Sequence, residues 1–145
     1  MARINIHATA LVVEGRGLLI FGPSGAGKSS LALQLIDDAR RVGASAFLVA
    51  DDRVWLDRRG DRLLAEAPET LAGLVEIRGF GPACVQHEGV TVIDASIWLV
   101  APEIAPRHRE DRKEPVHGVT LPRLDAAAGN PVHAARAVAA WLRTV

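Results

Sequence analysis

Gly22-Pro23-Ser24-Gly25-Ala26-Gly27-Lys28-Ser29-Ser30 is the stretch whose reading decides the fold. Gly22, Gly27, Lys28 and Ser29 fit the spacing G-x-x-x-x-G-K-[ST], a loop whose backbone N–H groups wrap a polyphosphate. Glycines let the main chain bend and approach the anion, the Lys28 ammonium neutralises the outer phosphates, and the Ser29 hydroxyl serves a Mg²⁺ ion. Such a match means little without its flanks. The apolar run Gly17-Leu18-Leu19-Ile20-Phe21 precedes the loop as a strand, and Leu31, Ala32, Leu35, Ile36 and Ala39 follow at helical spacing up to a stop at Gly43. The helix N-terminus then points at the loop, where its dipole and free N–H groups favour an anion. A Gly/Ser-rich turn with a purely structural purpose is the competing reading, and the flanks weigh against it. Gly22 to Ser30 is therefore the candidate nucleotide cradle.

The bulk properties narrow the remaining choices. A chain of 145 residues has the size of one domain, long enough to bury roughly two-thirds of its unfolded surface without cross-links. Its 17 basic residues balance 17 acidic ones, so no overall positive field draws it to nucleic acid or anionic lipid. Cys84 is the lone cysteine, which excludes an internal disulfide framework and a multi-cysteine zinc site; it reads as a buried small apolar residue in a reducing compartment. The N-terminal apolar run is too short and interrupted for a signal peptide, and no stretch is long and apolar enough to span a bilayer. A cytoplasmic protein without a membrane or nucleic-acid partner is expected. The 49% hydrophobic content reads as core, with a subunit contact as the other outlet.

Along the chain, residues 4 to 13 alternate as a first strand carrying His7, and Glu14 to Gly17 turns it back towards the loop strand. An isolated histidine there is by itself more often structural than catalytic. After the helix, Ala46 to Ala50 is an apolar return strand ending on Asp51 and Asp52, expected parallel to the loop strand with its C-terminal end at the nucleotide. Neighbouring strand residues point opposite ways, so one aspartate serves the metal while the other reaches for the incoming nucleophile. Val54 to Ala65 reads as a hairpin with a charged tip, and Pro68 to Gly73 as one helical turn. In Leu74 to Gly81, Glu76 and Arg78 fall on one face of an extended segment and Val75 and Ile77 on the other. Ala83 to Gln86, Val90 to Ile93, Ile97 to Ala101 and Val116 to Leu124 read as further strands, and Pro102 to Pro115 as an exposed, mobile loop. From Pro131 a terminal helix is expected, with Val132, Ala135, Val138, Ala139 and Leu142 on its apolar face.

Together the segments resemble the catalytic C-terminal domain of bacterial HPr kinase/phosphorylase, read as a short form without that family's N-terminal domain. The resemblance runs through His7, the loop Gly22 to Ser30, Leu48-Val49-Ala50-Asp51-Asp52 and Glu76-Ile77-Arg78-Gly79-Phe80-Gly81, with a weaker echo in Pro131 to Ala140. It implies an α/β P-loop NTP-binding domain of the HPr kinase / PEP carboxykinase type, with a mixed β-sheet core around the loop helix and a C-terminal helix. It further implies ATP with Mg²⁺, transfer to a serine of the phosphocarrier HPr or an HPr-like protein, a reverse reaction with inorganic phosphate, and a homo-oligomer, commonly a hexamer. By resemblance Asp51 is the base and acid, assisted by His7; Asp52 and Glu76, with Ser29, match positions on the metal side; and Arg78 matches the signature arginine. Arg112 is the candidate for the family's loop arginine. Phosphoryl transfer asks for these parts: a phosphate cradle, a divalent ion, positive charge at the moving group, and a base. The alternative is a nucleotide-binding regulator that acts by engaging a partner without phosphorylating HPr.

Overall fold

The computed structural model describes residues 2–145. Its strands are β1 (Ile4–Ile6), β2 (Thr9–Val13), β3 (Arg16–Phe21), β4 (Ala46–Ala50), β5 (Val54–Arg59), β6 (Arg62–Glu66), β7 (Leu74–Ile77), β8 (Gly81–Cys84), β9 (Val90–Val100), β10 (Arg112–Val116) and β11 (Val119–Ala127). The helices are α1 (Lys28–Arg41) and α2 (Pro131–Leu142), and Glu69–Leu71 forms a 3₁₀ turn. Nine strands make one mixed sheet along the path β1-β5-β6-β9-β3-β2-β4, with β11 also on β9 and β10 on β11; β7 and β8 pair separately. The fold is α/β, a mixed sheet with its helices packed on it.

The loop strand β3 lies between β2, antiparallel, and β9, parallel. Glu14 and Gly15, with φ of 49° and 78°, make the tight β2–β3 turn, since left-handed backbone at both positions matches the twist of the strands. This hairpin occupies the edge of β3 that a simple β-α-β unit would give to the return strand. β4 therefore pairs antiparallel with β2. It runs in the direction of β3, as expected, but one strand removed, and both C-terminal ends reach the same rim.

Several expected boundaries move. Residues 4 to 13 are two strands, because β1 pairs with β5 while β2 pairs with β3 and β4; the chain changes partners at His7-Ala8. The two expected strands between Val90 and Ala101 are the single strand β9, which continues through the polar residues Asp94 and Ser96. Asp94 accepts the Gly17 N–H at 2.9 Å where the β3–β9 register shifts, and Ser96 donates to the Pro122 carbonyl at 3.1 Å. The expected strand at Ala83 to Gln86 starts earlier, at Gly81, because it pairs with β7 around the turn Arg78-Gly79-Phe80. The expected loop Pro102 to Pro115 is shorter: Arg112–Val116 forms β10 against β11, and Pro115 is tolerated because β10 is an edge strand. Cys84 is exposed rather than buried.

Hydrophobic burial fixes the two faces. One carries Leu18, Ile20, Leu48, Ile97 and Leu124 against α1 and α2; the other gathers Leu19, Val49, Leu56, Leu63 and Leu121. The face of α2 that meets this core is Ala134, Ala135, Val138 and Trp141, whereas Val132, expected inside, is 45% exposed. Trp141 takes a place on this buried face, while Ala139, also expected inside, is exposed. Pro131 takes the first helical turn as expected.

Candidate functional site

The loop between β3 and α1 is built around left-handed backbone at Gly25 and Gly27, with φ of 82° and 100°. Side chains at those positions would strain the turn. Gly27 is the N-cap of α1; no side chain caps this terminus and no acidic residue lies in its first turn. By contrast, α2 is capped by Asn130, whose side chain accepts the His133 N–H at 3.2 Å. The first N–H groups of α1 are thus left to an anion. Lys28 is only 7% exposed. Its ammonium donates to the Gly22 and Pro23 carbonyls at 2.8 and 3.3 Å, which holds it at the mouth of the loop with donor capacity to spare. Ala26 is buried beneath and its carbonyl accepts the Gly129 N–H at 3.3 Å, tying the loop to the start of α2.

At the end of β4 the two aspartates part. Asp51 is 7% exposed, and three donors converge on it: the Ser29 hydroxyl at 2.6 Å and the Thr9 hydroxyl at 3.0 Å on Oδ1, and the Glu76 N–H at 3.0 Å on Oδ2. Asp52 is exposed and sits at φ 67°, the centre of a tight turn closed by Arg53 N–H to the Asp51 carbonyl at 2.7 Å. Its own N–H donates to Thr9 Oγ1 at 3.3 Å, and its carboxylate is hydrogen-bonded to Nε2 of His7, which lies at the bend between β1 and β2. A carboxylate paired with an imidazole can take up and return a proton.

The loop and both aspartates border a cavity of about 750 Å³, whereas His7 and Thr9 are not among its lining residues and reach it through the aspartates they contact. From the loop, Ser24, Gly25, Gly27, Lys28, Ser29 and Ser30 line it; from β4, Asp51 and Asp52; from the β7–β8 hairpin, Glu76, Arg78 and Gly79. Gly22, Pro23 and Ala26, expected in the cradle, do not line the cavity; Gly22 and Pro23 offer their carbonyls to Lys28 and Ala26 is buried. Arg78 follows β7 in the turn rather than extending it, yet it still lines the cavity with Glu76. Leu71, Leu74, Val75 and Pro82 add an apolar wall that the motifs did not announce. Thr9 was also missed; a hydroxyl between Ala8 and Ala10 in a buried strand is the signal that could have found it. Among the described residues, no three of His, Cys, Asp and Glu converge to hold a metal ion. What the site offers a cation is the Ser29 hydroxyl beside one carboxylate, which suits Mg²⁺ bound largely through phosphates and water.

Arg112 is not among the residues lining this cavity. It pairs with Asp125 at 2.7 Å, across the β10–β11 ladder. Asp125 also holds Arg123 at 2.7 Å; the guanidinium of Arg123 lies over Trp98, 4.3 Å from the ring centroid, and Trp98 stacks on Phe21. Hydrogen bonding to Asp125, supported by Glu114 and opposed by burial, raises the Arg123 guanidinium above its ordinary range. The charges of this cluster are matched among themselves, which accounts for Arg112 staying with β11.

Residues 1–95 match the family model described as the HPr Serine kinase C-terminal domain. The HPr kinase/phosphorylase of Caldicellulosiruptor bescii is 34% identical over 134 residues, covering 84% of this chain and 41% of that protein. The HPr kinase/phosphorylase of Geobacillus thermodenitrificans is 34% identical over 131 residues, covering 82% of this chain and 40% of its own length. The chain thus spans only some two-fifths of these curated relatives. The structure of the Hpr(Ser) kinase/phosphatase from Coxiella burnetii matches with a TM-score of 0.81 at 28% identity, covering 97% of both chains. No helix among the described residues is long and apolar enough to cross a membrane.

Proposed function

The chain belongs to the HPr serine kinase C-terminal domain family, and on that premise we propose that it transfers the terminal phosphoryl group of ATP, with Mg²⁺, to a serine hydroxyl of HPr or an HPr-like phosphocarrier protein. The observation that carries this reading is the meeting, in one cavity, of an uncapped helix N-terminus with Lys28, the Ser29–Asp51 pair, and an aspartate already joined to a histidine. A generic phosphate-binding turn requires only the first of these.

The residues present fit both groups. The loop amides and Lys28 hold the outer phosphates, and Ser29 directs its proton to Asp51, so the lone pairs of its hydroxyl oxygen are available to the cation. When bound, Mg²⁺ supplies charge neutralisation across the phosphates. The acid–base task falls to Asp52 with His7: the carboxylate receives the proton of the incoming serine hydroxyl, and the imidazole orients the carboxylate and shares the proton. In the reverse direction the same pair returns it. Arg78, exposed in the turn after β7, contributes positive charge at the cavity. Glu76 lines the cavity with an exposed side chain, which supports a part in shaping it, while its N–H holds Asp51.

This exchanges the roles that the resemblance suggested for the two aspartates. Asp51 is buried and engaged by three donors, which suits a fixed partner of the Ser29 hydroxyl; Asp52 is open to an incoming protein. The test is to incubate the protein with labelled ATP, Mg²⁺ and either HPr or a serine-replaced HPr. Label on HPr alone is expected. Label on neither contradicts the kinase reading and favours a nucleotide-binding regulator, and equal label on both moves the acceptor to another residue.

A further inference from the structure

We infer that Thr9 is a positioning residue that divides the tasks of the two aspartates; this rests on the phosphoryl-transfer reading above. Thr9 opens β2, is 0% exposed, and stands between the buried Ala8 and Ala10. A hydroxyl sealed into such a strand must find its partners inside the protein, and both of those partners belong to the aspartate pair.

A threonine hydroxyl has a single proton. Here it goes to Asp51 Oδ1 at 3.0 Å, while the Thr9 oxygen accepts the Asp52 N–H at 3.3 Å. The polarity of the chain is thereby fixed: Asp52 N–H to Thr9, Thr9 to Asp51, with the Ser29 hydroxyl meeting the same Asp51 oxygen at 2.6 Å. On one side Thr9 helps hold the carboxylate that faces Ser29. On the other it grips the backbone of Asp52, whose φ of 67° is one that a side-chain-bearing residue keeps only where its surroundings hold it. His7 lies two positions before Thr9, so the segment that carries the imidazole is fastened to the turn that carries its carboxylate. One hydroxyl thus sets both the Ser29–Asp51 contact and the His7–Asp52 contact. It touches no substrate on this reading.

Two measurements on the intact protein test this. In the first, Thr9→Val, nearly isosteric but without the hydroxyl, lowers kcat for phosphoryl transfer about 10- to 100-fold, as small misplacements of acting groups do, while the affinity for ATP measured without Mg²⁺ stays within about twofold because the loop amides and Lys28 are untouched. Thr9→Ser, which restores the hydroxyl, recovers most of the lost kcat. In the second, amide hydrogen exchange at Asp52 in the nucleotide-free protein is faster in Thr9→Val than in wild type and returns to wild type in Thr9→Ser. Should Thr9→Val not fold, Thr9→Ala carries the same comparison. Asp52 exchange that is unchanged by loss of the hydroxyl overturns the inference, as does Thr9→Ser behaving like Thr9→Val. Absence of transfer in the wild-type protein overturns the kinase reading instead, and the exchange experiment still judges the Thr9 contacts.

Discussion

Lys28 donates to two carbonyls of the loop that precedes it and is almost wholly buried, so its ammonium is held in place before any anion arrives. Replacement by methionine keeps most of the length of the side chain and removes the ammonium. ATP affinity, measured by calorimetry, is expected to fall at least about tenfold, the equivalent of about 1.4 kcal/mol and the low end for a charge-assisted hydrogen bond. Unchanged affinity would mean that the amides alone hold the phosphates. Lys28 and Ser29 were legible in the sequence because the motif encodes a local geometry, a loop feeding a helix, that needs no distant partner. The division between Asp51 and Asp52 was not. Alternation along a strand says that neighbours point apart, but not which one turns inward. That choice is made by Thr9, Ser29 and the Glu76 N–H, none of them adjacent in sequence, and by the left-handed turn at Asp52. Arg112 was misplaced for a similar reason, since its pairing with Asp125 exists only once β10 and β11 are side by side.

Among the elements, β9 organises the sheet, pairing along its length with β6, β3 and β11. The two backbones of β3 and β9 crowd at Gly17, where an added Cβ would lie 1.9 Å from the Val92 carbonyl oxygen. Backbone atoms cannot swing aside as a flexible side chain can. Gly17→Ala is therefore expected to destabilise the protein by at least about 1–3 kcal/mol, the usual range for overpacking, read as a lower midpoint in urea unfolding; an unchanged midpoint would show that the β3–β9 crossing is loose. The sequence contains the two helices and the β2–β3 and β5–β6 hairpins because each is specified within a short window. It concealed the length of β9 and the existence of β10, because Asp94 and Ser96 find their partners on other strands, and because the charged, proline-bounded segment before Val116 resembles a loop until β11 pairs with it.

Over the whole molecule, the helices close one face of the sheet and a second core fills the other, while the cavity opens where the C-terminal ends of β3 and β4 meet the β7–β8 hairpin. A ligand held by loop, strand end and hairpin at once links parts of the chain that are far apart in sequence. ATP with Mg²⁺ at about 100 times its dissociation constant should stabilise the fold by about 2.7 kcal/mol, a rise in Tm of roughly 5–10 °C for a chain of this size. Thermal unfolding checks this, and the rise should shrink in Lys28→Met. The central claim is that the cavity joins a phosphate cradle to an acid–base pair made of Asp52 and His7. Its most direct test is phosphoryl transfer from labelled ATP to HPr by Asp52→Asn, with ATP binding measured on the same preparation. The account predicts transfer reduced about 10²- to 10⁴-fold, the usual contribution of a general base, with ATP affinity close to wild type; transfer at the wild-type rate would contradict it.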